Sequence, residues 1–283
     1  MNDIDTALVS RPRPNALEEL FGVSKPIIGT IHVLPLPGAP RYRGQSMREV
    51  VAQAVADARA YEDGGIDGLI VENEGDIPFL KPDEVGIETV AGLTAVSVAV
   101  REAVRVPIGI NCLANAVCQS LAVAKAADAR FVRANQWANA YVANEGIVEG
   151  AAARALRFRT TLRADDVRVM ADVHVKHGSH AIVADRDIEQ MTHDVEAFDA
   201  DVLIATGQRT GDPTPREELN AIKRAASLPV LIGSGLRATN ALHLMAVADG
   251  AIVGSAMKYE GVWWNAVSTE RVRTIMSQIE TLR

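Results

Sequence analysis

Asp172, His174 and Lys176 occupy every second position of ADVHVKHG, residues 171–178, and Ala171, Val173 and Val175 lie between them. A carboxylate, an imidazole and an ammonium in one row are groups suited to moving a proton or holding an anion. Side chains of an extended strand alternate between its two faces. Across residues 167–177 this puts Val167, Val169, Ala171, Val173 and Val175 on an apolar face, with Met170, Asp172, His174 and Lys176 opposite. A structural reading also exists, a buried Asp–Lys pair with a hydrogen-bonded His, since buried charges persist only when paired. Repetition speaks for chemistry instead. Thr30 with His32, Glu72, Asn111 and Arg133 stand in the same way at the ends of other short apolar runs.

The elements that must carry these residues alternate along the chain. Runs rich in Val and Ile predict strands at 26–32, 67–73, 107–111, 129–133, 167–176, 201–206, 229–233 and 251–255. Helical spacing fills 47–62, 87–104, 116–127, 151–162, 186–198, 215–226, 239–247 and 267–282. This alternation makes a parallel sheet with right-handed crossovers, and eight such units close an α/β barrel of the (β/α)₈ type. An open doubly wound sheet competes, but it expects a GxGxxG turn after the first strand, where HVLPLPGAP stands. The reading is one barrel domain over 25–283 and an N-terminal extension over 1–24, whose weakly helical 15–21 would plug the barrel floor. Barrel chemistry gathers at the C-terminal ends of the strands. The polar strand ends therefore predict a single pocket at that mouth.

Bulk properties narrow the function. The net charge of −7, with no Lys/Arg cluster, argues against nucleic acid as a partner. Cys112 and Cys118 form neither a disulfide framework nor a CxxC pair, which suits a reducing cytoplasm. No stretch reads as a signal peptide or a membrane span, so no integral membrane segment is expected. The helix faces are generically Ala- and Val-rich, which leaves a homo-oligomer open. YEGVWWN (259–265) reads either as an interface or as closing the bottom of the last helix.

Two short motifs point to phosphate. Gly233, Ser234 and Gly235 follow the seventh strand and open a helix near Arg237; Gly254, Ser255 and Ala256 follow the eighth. Small residues there let backbone N–H groups approach an anion, and loops seven and eight are the recurrent phosphate site of such barrels. Glycines that merely make tight turns are the plainer explanation. Two long loops are candidate lids: 134–150, with Trp137, Tyr141, Asn144 and Glu145, and 206–215, with Thr206, Thr210 and Asp212.

Read in order, HVLPLPGAP, VENEGDIPF, ADVHVKHG, TGQRTGDPT and GSGLRATN…ADGAIVGSAMK resemble the BtpA/SgcQ family, from about Lys25 to the Trp263–Trp264 region. The resemblance implies a TIM barrel of the ribulose-phosphate-binding type. The family takes its name from a cyanobacterial member implicated in photosystem I biogenesis, whereas SgcQ-like members accompany sugar-transport and carbohydrate genes. It thus implies either carbohydrate metabolism or a biogenesis factor.

The expected chemistry is proton transfer next to a carbonyl of a small phosphorylated sugar or nucleoside-like metabolite, of the isomerase or epimerase type. Asp172, His174 and Glu72 are the acid/base candidates, with Lys176 and Arg133 neutralising an enediolate or the phosphate. Asn111 and His32 would orient hydroxyls, and Thr206 would join the substrate contacts. Alternatives are a Schiff base on Lys176, as in an aldolase, and metal-assisted hydrolysis. No cofactor is firmly implied. A divalent metal on Glu72, Asp172, His174 and His177 remains open, because His-x-x-His recurs at 174–177 and 177–180.

Overall fold

The computed structural model describes residues 14–207 and 214–283. Its strands are β1 (Ile27–His32), β2 (Gly68–Glu72), β3 (Ile108–Asn111), β4 (Phe131–Ala134), β5 (Ala140–Ala143), β6 (Gly146–Glu149), β7 (Arg168–Asp172), β8 (Gly178–Ser179), β9 (Val202–Ala205), β10 (Val230–Ile232) and β11 (Gly250–Val253). Eight of these close a parallel barrel in the order β1-β11-β10-β9-β7-β4-β3-β2. The other three form a small antiparallel sheet in which β5 lies between β6 and β8.

Alternation sorts the barrel into two cores. Outward residues such as Ile27, Ile31, Leu69, Val71, Val169 and Ala171 pack beneath the helices. Inward residues Ile28, Ile70, Phe131, Met170, Val202, Ile204, Leu231 and Ile252 fill the axis. Helices form where the sequence gives them starts and apolar faces. Helix 47–63 opens on a reciprocal cap, in which Ser46 Oγ accepts from the Glu49 N–H and Glu49 accepts from the Ser46 N–H. It buries Val50, Ala54, Ala58 and Tyr61 against the barrel.

The floor is closed by the short helix Ala16–Phe21, capped by Asn15, whose side chain accepts from the Leu17 and Glu18 N–H groups. Leu17 and Leu20 join the axial core, and Phe21 meets Phe131 edge-on at 5.9 Å. Each buried leucine contributes roughly 1.5–3 kcal/mol as an upper estimate. Arg168, inward-facing at the start of β7, donates to Glu19 of this plug at 2.6 Å.

The strand and helix order matches the alternation read from sequence, and the ends differ in informative ways. The strand expected over 167–176 stops at Asp172. The helix expected over 239–247 is only Ala241–Met245. The loop expected as a lid over 206–215 falls largely on 208–213, so Thr210 and Asp212 lie outside the described residues. Among the described residues, no helix is long and apolar enough to cross a membrane.

Candidate active site at the C-terminal mouth

Register places the polar strand ends side by side. His32 pairs with Glu72 across β1 and β2, and Glu72 pairs with Asn111 across β2 and β3. All three share one parity, so their side chains form a row above the axial core. Asn111 Nδ2 donates to Glu72 Oε1 at 2.8 Å, and His32 Nε2 lies 3.6 Å from Glu72 Oε2. Arg133, from β4, stands 3.9 Å from Glu72 Oε1. Its Nε and Nη2 donate to the two oxygens of Asp172, each at 3.1 Å, and Asn135 Nδ2 adds a third donor at 3.3 Å. The ring is therefore two buried carboxylates bridged by one guanidinium. Breaking such a pair leaves an uncompensated buried charge.

These partners set the protonation states. Burial drives Glu72 upward, but the approach of His32, the charge of Arg133 and the Asn111 amide outweigh it and hold the carboxyl at about 2. Burial raises the Asp172 carboxyl, opposed chiefly by Arg133. Glu74, two residues beyond β2, is raised, mainly because it is buried. Burial, then the positive charge of Arg133, lowers Lys176. His32 is oriented from its other side: Nδ1–H donates to the Trp263 carbonyl at 2.8 Å. Nε2 then faces Thr30 Oγ1 at 3.0 Å and Glu72.

Above the ring lies a cavity of about 1300 Å³. Of the residues expected there, His32, Glu72, Arg133, Lys176, Gly233, Ser234, Gly235, Gly254 and Ser255 line it, and so does Thr30. Lys176 Nζ reaches Ser234 Oγ at 3.5 Å. The remaining candidates stand elsewhere. Asp172 and Asn111 are buried beneath the cavity, gripping Arg133 and Glu72; Asn111 Oδ1 is buried without a hydrogen-bond partner among the described residues. The Thr206 hydroxyl donates to the backbone carbonyls of His174 and Gly207 rather than facing the cavity.

His174 corrects the parity argument. It follows the end of β7, where alternation no longer applies, and its Nδ1 meets Glu218 Oε2 of helix 216–225 at 3.3 Å. Its ring lies 4.0 Å from that of His180. His177, given the wrong parity by the strand reading, lines the cavity because the chain turns there with a left-handed φ of 68°.

The glycines after β10 and β11 have packing reasons. A Cβ on Gly233 would sit 2.4 Å from Ile204 Cγ2, and one on Gly254 would sit 2.6 Å from Thr30 Oγ1. No continuous helix opens at Arg237, whose N–H donates instead to Asn240 Oδ1. Even so, the N–H groups of Gly235, Leu236, Ser255 and Ala256 donate to no acceptor among the described residues. Four such donors at loops seven and eight are suited to an anion.

The loop over 134–150 is built as a hairpin of β5 and β6, and its tip residues Asn144 and Glu145 line the cavity with Tyr141. Tyr141 stacks on His180 at 5.3 Å. Trp137 is no lid: it is 1% exposed, and Nε1 donates to the Phe198 carbonyl at 2.8 Å. Trp263 and Trp264 line the mouth rather than closing the bottom of the last helix.

Glu74 is the main residue the strand-end reading missed. Its signal was present in Glu72-Asn73-Glu74, where the parity of Glu72 runs on into a short turn, 74–76. Asp76 pins that turn, accepting from the Leu36 N–H at 2.8 Å and from Asn73 Nδ2 at 2.9 Å. The metal donors do not assemble. Glu72 and Asp172 are committed to the ring, His174 to Glu218, and His180 Nε2–H to the Val175 carbonyl. Among the described residues, no group of three or more His, Cys, Asp or Glu is placed to hold an ion.

Comparison with known proteins places the chain in a family and bears on its fold. The chain is 43% identical over 256 residues to an uncharacterized protein of Archaeoglobus fulgidus, covering 90% of this chain and 98% of the relative. It is 36% identical over 257 residues to the photosystem I biogenesis protein BtpA of Synechocystis, covering 90% and 88%. Among solved structures, thiamine phosphate pyrophosphorylase from Pyrococcus furiosus shares the fold, with a TM-score of 0.56, 16% identity and coverage of 91% and 96%. The BtpA family model matches residues 23–281, and the chain belongs to the BtpA family.

Proposed function

We propose that this protein is an enzyme of carbohydrate metabolism, acting by proton transfer on a small phosphorylated sugar or nucleoside-like metabolite at the barrel mouth. One observation carries the reading: Glu72 and Glu74, two residues apart in one chamber, are pushed in opposite directions, Glu72 down to about 2 and Glu74 up. Carboxyls whose environments separate them in this way divide the work between a fixed charge and a proton carrier. Glu74 takes a proton from the carbon beside the substrate carbonyl and returns it to the neighbouring atom. Arg133 and Lys176 face the oxyanion that develops meanwhile. Glu72 holds His32 and Arg133 in place, and Asp172 orients Arg133, so Asp172 and Asn111 act as positioning residues. The N–H groups at 235–236 and 255–256, with Ser234 and Ser255 beside them, receive the phosphate.

A second reading rests on Lys176. Burial and the charge of Arg133 lower its pKa, the direction in which an amine becomes able to form a Schiff base. Trapping with borohydride followed by intact mass separates the two, since the proton-transfer reading predicts no adduct. A third, a biogenesis factor, comes from the name of the Synechocystis relative. Thermal shift and calorimetry with inorganic phosphate and a panel of aldose and ketose phosphates test the enzyme reading. Saturable stabilisation by phosphorylated sugars is expected. Stabilisation by none of them, with stabilisation only by a partner protein, would overturn it. A cytoplasmic location belongs to the same proposal.

A further inference from the structure

The cavity is larger than a sugar phosphate needs. Ligand pockets run to roughly 300–1,000 Å³ for drug-sized molecules, and this one measures about 1300 Å³. The surplus space is bordered by the Trp263–Trp264 pair. Trp264 is 68% exposed, a costly placement for so large an apolar side chain. Its ring meets that of Trp263 at 5.3 Å and 85°, an open corner offering one aromatic face and one edge. Trp263 in turn meets the His32 ring at 5.7 Å and 72°, and its carbonyl receives the His32 Nδ1–H. A series of rings therefore leads from the proton-transfer cluster outward to solvent, with Val262 and Ile275 also lining the cavity.

We infer that the Trp263–Trp264 corner is a stacking subsite for a planar heterocycle, so that the substrate is a ribose phosphate that carries a heterocycle and keeps, or opens to, a carbonyl beside the carbon that loses its proton; nucleotides serve as probes of the stacking subsite alone. This rests on the proposed function and narrows it. The phosphate lies at loops seven and eight, the sugar over Glu72 and Glu74, and the base against Trp264. Planar bases stack on aromatic rings whatever their sequence identity, because each has a π-face. The perpendicular corner suits a flat ring better than a puckered one, since one face is covered while the edge of the second indole closes the side.

The chain has three tryptophans, and Trp137 is buried, so ligand-induced change in tryptophan fluorescence reports on the pair. Binding is measured by fluorescence and calorimetry with inorganic phosphate, ribose 5-phosphate, trehalose 6-phosphate and the four common nucleoside 5′-monophosphates. At least one nucleotide is expected to bind roughly five- to 150-fold more tightly than ribose 5-phosphate. Trp264→Ala should remove most of that gain and leave ribose 5-phosphate binding unchanged; Trp264→Phe should restore part of it. If ribose 5-phosphate binds and no nucleotide gains, or if trehalose 6-phosphate gains instead, the heterocycle subsite is wrong and the proposed function stands. If nothing phosphorylated binds, both fall.

Discussion

His32 and His174 both stand near the C-terminal end of a barrel strand on the inward parity, yet only His32 reaches the cavity. His32 is the last residue of β1 and is held in register opposite Glu72, so the ladder itself decides which way its ring points. His174 lies two residues past β7, where the last backbone-to-backbone tie to the neighbouring strand is the Val173 N–H donating to the Ile204 carbonyl. Freed from the pleat, it turns to the nearest carboxylate, Glu218. Alternation is a property of paired backbone, and it expires with the pairing. Lys176 and His177, farther along, reach the cavity through loop geometry instead.

The largest expected effect tests the paired side of this contrast. Arg133→Met leaves Glu72 and Asp172 buried without their shared cation, and a loss of about 3–5 kcal/mol is expected in denaturant unfolding. A loss under 1 kcal/mol would mean that the ring is not what fixes the strand ends. Next comes acid stability. Glu72 binds its proton more weakly in the folded protein, so its contribution is present above its ordinary value of 4.5 and fades as pH falls towards about 2. That amounts to about 3 kcal/mol, and Glu72→Gln should flatten the stability profile over this window. Glu74 works with the opposite sign. Its raised pKa makes the folded form more proton-hungry, so stability falls as pH rises above 4.5 through its folded pKa. Glu74→Gln should therefore stabilise the protein at neutral pH.

These effects turn on side chains whose visibility in the sequence was uneven. The barrel was legible because short Val- and Ile-rich runs alternate eight times with helical stretches, and the polar residues closing β1, β2 and β7 share the inward parity. Glu72 and Arg133 were legible for the same reason. The pairing of Asp172 with Arg133 was not, because a bidentate contact joins residues 39 positions apart through strand adjacency that one sequence does not display. Gly233 and Gly254 were visible as motifs, but what occupies the space of their absent Cβ atoms, Ile204 and Thr30, belongs to other strands. Glu74 was hidden by a turn, and Trp263 by a contact with His32 that spans 231 positions.

Smaller effects sharpen the comparison. Gly254→Ala places a methyl group 2.6 Å from Thr30 Oγ1, and overpacking of about 1–3 kcal/mol is expected, read as a lowered Tm. The two histidines should then part company. His174→Ala removes a partly exposed pair with Glu218, worth about 0–1 kcal/mol, and should leave sugar-phosphate binding intact by calorimetry. His32→Ala should weaken that binding at least tenfold. Equal binding losses in both variants would mean that the ends of β1 and β7 are functionally alike after all.

The most direct test of the account follows hydrogen rather than stability. Wild-type protein and Glu74→Gln are incubated in D2O with whichever aldose or ketose phosphate binds, and proton NMR follows the C–H signal beside the carbonyl. The account predicts that solvent deuterium enters this position with the wild type, and that Glu74→Gln still binds the ligand but no longer exchanges it. Exchange at the wild-type rate in Glu74→Gln, or no exchange with any bound ligand, would contradict it.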